Sequence, residues 1–135
     1  KSERIAIRYK WGDLNDVITL LALEPHTRQA YLPIWFPEDT GVVHGKRVPC
    51  TLGYHFLYRD STLLITYPIR SCDFIRHFRD DVYLAIRLGR FVAEQAELKI
   101  TNLTLKMNII SLHMFLGDYQ LRYKGPYKAN TEVTP

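Results

Sequence analysis

Apolar residues recur with two different periods along this chain of 135 residues. Leu14, Val17, Ile18 and Leu21 fall at i, i+3, i+4 and i+7, which predicts an amphipathic helix over residues 13–23. Asp13 is placed to cap its start. The Glu24-Pro25 step ends it, because proline disfavours helical backbone in the residue before it. A second helix is predicted over 81–98, with Val82, Ala85, Ile86 and Val92 able to face a sheet. Period-two alternation of Ile5, Ile7 and Tyr9 predicts a strand over 2–10. Residues 29–36 read as a strand interrupted by Pro33, and 37–47 as a loop holding Gly41 and Gly45. Further strands are predicted over 51–58, 62–67 and 105–115, with Arg59-Asp60-Ser61 as the hairpin turn between the first two. Residues 117–135 read as an irregular tail.

The order β-α-β-β-β-α-β predicts an α+β (α/β-like) fold, a mixed β-sheet with packed helices, in one domain over residues 1–135. Composition agrees: 47% hydrophobic and 24% charged residues are ordinary for a globular chain and exclude disorder. A chain of this length buries about two-thirds of its extended surface, so its core needs neither disulfide nor metal. No apolar run approaches the ~20 residues of a membrane helix and no signal peptide opens the sequence, so no membrane partner is expected. Cys50 and Cys72 are too few for a disulfide framework, and a reducing, cytoplasmic setting follows. The chain begins at Lys1 rather than Met and is expected to be a processed or truncated piece.

Charge narrows the ligand. A formal net charge of +4 suits an anion such as a nucleotide phosphate, and also suits weak nucleic-acid binding. The most suggestive cluster is Val48-Pro49-Cys50, followed twenty residues after the cysteine by Arg70-Ser71-Cys72-Asp73. A cysteine is a nucleophile only as thiolate, which nearby positive charge favours. Arg70 can supply that charge and grip a phosphate with its planar fork, and a hairpin of antiparallel strands would bring the two segments side by side. The competing reading makes Cys50 a small buried hydrophobe and Arg70 half of a surface ion pair.

These residues resemble a known family. The thymidylate synthase and deoxycytidylate hydroxymethylase family carries a Pro-Cys nucleophile motif and then Arg-Ser-x-Asp, as Pro49-Cys50 and Arg70-Ser71-Cys72-Asp73 stand here. Upstream, Asp13-Leu14-Asn15-Asp16-Val17, Pro25-His26-Thr27-Arg28 and Trp35-Phe36-Pro37 resemble the family's helix, arginine pair and Trp-Asn-Pro stretch. Downstream, Ser111-Leu112-His113-Met114-Phe115 resembles the strand that touches the sugar. The similarity spans most of residues 12–118.

The resemblance implies a thymidylate synthase-like fold and folate-dependent one-carbon transfer to C5 of a pyrimidine nucleotide. Cys50 would attack C6, and 5,10-methylenetetrahydrofolate would donate the one-carbon unit. Arg70 and Ser71 would bind the 5′-phosphate, helped by Arg28 from the other subunit of a homodimer with shared sites. Asp73 would lie near the folate and His113 at the sugar. His55 stands where the family has a glutamine, five residues after the cysteine, among the substrate-binding positions. Asp81, eleven residues after Arg70, takes the place of the asparagine that reads uracil in thymidylate synthases. A carboxylic acid suits cytosine instead, accepting from N4 and donating to N3. Asp81 therefore favours dCMP hydroxymethylation, with dUMP methylation as the alternative; capping of the following helix is its competing role.

Departures favour a third outcome, a non-catalytic nucleotide-binding relative. The arginine pair reads Arg28-Gln29, and Ile69 replaces a glutamine. The Gly-x-Pro-Phe-Asn loop reads His77-Phe78-Arg79-Asp80-Asp81, and Phe115 replaces the sugar-contacting tyrosine. The family's N-terminal catalytic glutamate and its folate-closing C-terminal segment have no match here, which suggests either a fragment or a reduced relative. Other classes are weaker. His26, His44, His55, His77 and His113 lack metal-ligand spacing, and no metal is expected. Arg122, Tyr123, Lys124, Tyr127 and Lys128 interleave charge and rings as single-stranded nucleic-acid binders do, but a solvated tail explains them more simply. Trp11 and Trp35 read as core or interface residues.

Overall fold

The computed structural model describes residues 13–40 and 47–123. The strand expected over 2–10, together with Trp11, His44, Lys124, Tyr127 and Lys128, lies outside them. Helix α1 (Leu14–Leu23) forms as its periodicity requires, burying Val17 and Leu21. Asp13 and Asp16 close a reciprocal capping box: the Asp16 N–H donates to Asp13 at 2.9 Å and the Asp13 N–H to Asp16 at 3.4 Å. A short strand β1 (Tyr31–Pro33) follows, three residues rather than the eight expected, and then a single turn of helix, α2 (Pro37–Thr40).

Strands β2 (Gly53–Arg59) and β3 (Thr62–Ile69) form the expected hairpin, antiparallel and in register from His55↔Thr66 to Arg59↔Thr62. Asp60 and Ser61 both take positive φ, 48° and 56°, the two-residue turn whose twist matches that of the strands. After the two-residue strand β4 (Cys72–Asp73), helix α3 (Phe78–Gln95) crosses the sheet to β5 (Asn102–Ile109), which pairs parallel with β3. The sheet order is β1-β2-β3-β5, so a mixed sheet with packed helices is what forms. Along β3, Leu63, Ile65, Tyr67 and Ile69 point to the helix side and are all but fully buried. Gly89 lets α3 approach: a Cβ there would overlap the Ile65 Cδ1 methyl and press on Leu103 Cδ1 at 3.0 Å.

Besides the shorter β1 and the helical turn α2 inside the loop expected over 37–47, three further expectations are corrected. Helix α3 starts at Phe78 instead of residue 81 and stops at Gln95, where Glu97 turns left-handed (φ 54°) and the Leu98 N–H closes on Ala93 O at 2.8 Å. The strand expected over 105–115 is two strands: β5 ends at Ile109, and β6 (Leu112–His113) pairs with β4 in a separate parallel ribbon. The first part of the expected irregular tail is a helix, α4 (Leu116–Tyr123), tied down by an ion pair between Asp118 and Arg76.

Candidate functional site

Polar side chains gather where β3 ends, β4 and β6 pair, and α3 begins, at the carboxyl end of the parallel strands. Open sheets with crossover helices commonly leave a binding crevice at that end. The hairpin holds the Cys50 and Arg70 segments side by side: the Arg70 N–H donates to Cys50 O at 2.9 Å and the Leu52 N–H to Pro68 O at 3.0 Å. The Arg70 side chain reaches further, donating from Nε to Pro49 O at 2.9 Å and from Nη2 to Val48 O at 3.0 Å. Its guanidinium carbon also lies 5.5 Å from the Trp35 ring centroid. Arg70 thus fixes the backbone of residues 48–50. Cys50 is exposed and its thiol is free.

Behind it the interior is polar. The Tyr67 and Thr51 hydroxyls hydrogen-bond at 2.8 Å, and the Tyr67 ring packs on Tyr54 with centroids 4.6 Å apart. Burial raises the Tyr67 phenol well above its ordinary value, against the opposing effect of the Thr51 bond. Cys72 is buried and its thiol donates to Asp81 Oδ2 at 3.4 Å. Desolvation first, and then that carboxylate, push the Cys72 thiol up to about 11, with smaller contributions from the charges of Asp73 and Cys50. Asp81 is the fourth residue of α3, a turn inside the helix start, so it does not cap it; the N-cap is His77, whose side chain makes no capping bond.

Asp73 is 4% exposed. Its Oδ1 accepts from the Ile75 and Arg76 N–H groups, both at 2.9 Å, while its buried Oδ2 has no hydrogen-bond partner among the described residues. The Arg76 N–H, more than the Ile75 N–H, holds this carboxyl below the usual carboxylate range against the opposing effect of burial. On β6, His113 Nδ1 lies 3.3 Å from Ser71 Oγ, and the His113 ring stands edge-on to Phe115.

Of the residues singled out from sequence, Cys50, Arg70, Ser71, Asp73, Asp81 and His113 therefore lie on neighbouring segments of one end of the sheet. His55 and Arg28 do not join them. Residue 55 alternates with Phe56 and Tyr54, whose rings pack into the core, so it sits on the opposite sheet face, where Nε2 bonds Arg28 O at 2.9 Å. The Arg28 side chain is exposed there. Sequence reasoning overlooked Tyr67 and gave Cys72 no role. Tyr67 reads as one more apolar position of an alternating strand, although a buried phenol needs a hydrogen-bond partner and so signals one. Among the described residues, no group of three or more His, Cys, Asp or Glu can hold a metal ion, and no helix is long and apolar enough to cross a membrane.

Comparison with known proteins found no matching family model and no matching curated protein. The arrangement has to be read on its own chemistry. It offers an exposed thiol on a segment whose backbone a guanidinium holds, a buried carboxylate with a spare oxygen, and a second carboxylate engaged by a buried thiol.

Proposed function

We propose that this chain is a folate-dependent C5 one-carbon transferase acting on a pyrimidine nucleotide, dCMP being the favoured substrate and hydroxymethylation the reaction. The proposal includes a thymidylate synthase-like fold. The observation that carries it is the exposed Cys50 thiol on a turn whose backbone carbonyls are held by Arg70. Arg70 spends two N–H donors on that turn, which leaves three of a guanidinium's five for a 5′-phosphate. The Cys50 thiolate adds to C6, the electron pair of the C5=C6 bond moves to C5, and C5 becomes the carbon nucleophile. In hydroxymethylation C5 would then give up its proton, the transferred carbon would part from the folate nitrogen and take its hydroxyl from water, and the sulfur would leave C6, restoring the double bond.

Bound 5,10-methylenetetrahydrofolate supplies the one-carbon unit. The unpartnered, buried Oδ2 of Asp73 fits it, as an acceptor for a ring N–H. Asp81 accepts the cytosine N4 amine with lone pairs that the Cys72 thiol leaves open. Ser71 orients His113 through Nδ1 and leaves Nε2 for the sugar hydroxyl. Arg28, exposed on the other sheet face, serves the site of a second copy in a homodimer.

The test is incubation of the full chain with the folate and dCMP or dUMP, with products identified by mass spectrometry. Hydroxymethyl-dCMP formation that disappears in Cys50→Ser is the expected result. Full turnover by Cys50→Ser overturns the reading, and release of C5 tritium from dUMP but not dCMP moves the substrate to dUMP. A second reading, nucleotide binding without turnover, is favoured by the helical conformation of Phe78–Asp81, where the family carries a glycine- and proline-bearing loop. Calorimetric dCMP binding with no product selects it.

A further inference from the structure

Beyond Asp73, the turn leading into α3 and the end of α4 enclose a cleft of about 250 Å³ lined by Phe74, Ile75, Arg76, Arg79 and Arg122. Three arginines share this space, and their mutual repulsion does nothing for the fold. One of them is compensated: Arg76 gives Nε and Nη2 to Asp118 at 2.7 and 3.3 Å, and its guanidinium also lies 4.8 Å from the Phe115 ring centroid. That bidentate pair raises the Arg76 pKa further and commits the cation to Asp118. Arg79 and Arg122 are exposed, and neither hydrogen-bonds nor pairs with a carboxylate among the described residues. Below them, Phe74 keeps 42% of its surface exposed, an apolar floor under two uncommitted guanidinium forks.

We propose that this cleft binds a small anion, a phosphate monoester or a dicarboxylate carried on an apolar body. Arg79 and Arg122 present two uncommitted positive charges once Asp118 pairs with Arg76, and the buried Asp73 carboxylate beside Arg76 offsets part of them, so the cleft suits an anion of one to two negative charges. Guanidinium forks on two elements suit two oxyanion edges, and Phe74 with Ile75 suits the carbon body between or behind them. The assignment does not rest on the nucleotide reading: its residues are distinct from Cys50, Arg70 and Asp81.

The experiment titrates the full chain with phenyl phosphate, glutarate and inorganic phosphate, following arginine Nε–H resonances by NMR and affinity by calorimetry. Phenyl phosphate or glutarate should shift the Arg79 and Arg122 signals and bind more tightly than inorganic phosphate. Whichever of the two binds better identifies the source of the oxyanion. Arg79→Gln and Arg122→Gln, both exposed and expected to keep the wild-type Tm, should each weaken binding about tenfold. No shift of either arginine at millimolar ligand overturns the proposal. So does binding that survives unchanged in both variants, since the anion then sits elsewhere.

Discussion

The two ends of β3 are buried to the same degree by different means. Toward the hairpin turn, Leu63 and Ile65 pack with Val17, Leu21, Phe56 and Val92, an all-hydrocarbon cluster between the sheet and helices α1 and α3. Toward Arg70, Tyr67 and Ile69 pack with Cys72 and Ala85, and polar atoms need partners: Thr51 for the phenol, Asp81 for the thiol. The first end gains stability from every atom it hides, about 25 cal/mol per Å² of apolar surface. The second must offset the desolvation of each polar group with a hydrogen bond. Asp73 Oδ2 is where that compensation stops. Equal burial with unequal chemistry separates a hydrocarbon end from an end whose buried polar groups each need a partner.

The sharpest way to break this contrast is truncation in the hydrocarbon cluster. Phe56 is 0% exposed, and Phe56→Ala should cost about 3–5 kcal/mol in urea unfolding through lost transfer energy and a cavity. A loss no larger than that of Cys72→Ala would erase the distinction between the two ends.

Next in size is an alkaline effect confined to the polar end. The folded Cys72 thiol titrates at about 11, against an ordinary value of 9.0. Between those pH values the unfolded chain loses the proton and the folded chain keeps it. Stability is therefore full below the unfolded pKa and falls as pH rises toward the folded one, by about 3 kcal/mol in all. Cys72→Ala should remove the fall below the ordinary phenol value of 10.0 and reduce it above, where the raised Tyr67 phenol still contributes, in unfolding curves taken across the window. In iodoacetamide labelling at neutral pH, Cys50 should react while Cys72 waits for unfolding. Equal labelling rates would contradict the burial of Cys72.

Smaller again is the helix–sheet approach at Gly89. Alanine improves helix propensity by about 1 kcal/mol. Its Cβ, however, meets Ile65 Cδ1, and Ile65 is 0% exposed, so it yields only by displacing its own neighbours. The net change for Gly89→Ala should be a loss of about 1–2 kcal/mol, read from the urea midpoint.

Much of the first end was legible in the sequence because one signal sufficed. The 3.6-residue period with Asp13 before it located α1, and strict alternation flanking Asp60-Ser61 located the hairpin. Boundaries set by tertiary contact were not legible. Phe78 starts α3 early because its ring packs against Phe74 and the Tyr67–Ile69 cluster, and Glu97, a poor residue for left-handed backbone, ends it where a glycine would have been the cue. Helix α4 leaves Leu116 and Leu121 exposed and is held by the Arg76–Asp118 pair, 42 residues apart in sequence. At the candidate site, the spacing of Cys50 and Arg70 was readable because a hairpin converts it into adjacency. The wrong face of His55 follows from strand parity, which motif spacing ignores.

The finest probe of the comparison is Tyr67→Phe, which removes one oxygen from the polar end and nothing from its packing. Loss of a neutral hydrogen bond costs about 1 kcal/mol when the partner can turn to water. Thr51 is half-buried, so its hydroxyl has that escape. The phenylalanine ring keeps the stacking on Tyr54 and the contacts beneath Cys72. A loss near 1 kcal/mol in urea unfolding would mean that the hydroxyl pair outweighs its desolvation by about that much, and no change would mean that the two balance. A gain in stability would sharpen the contrast further: the phenol would then be held at this end at a cost to the fold. The natural reason to keep it would be to position Thr51, and through it the turn that presents Cys50. That inference is checked by whether the same variant slows iodoacetamide labelling of Cys50 while raising the urea midpoint.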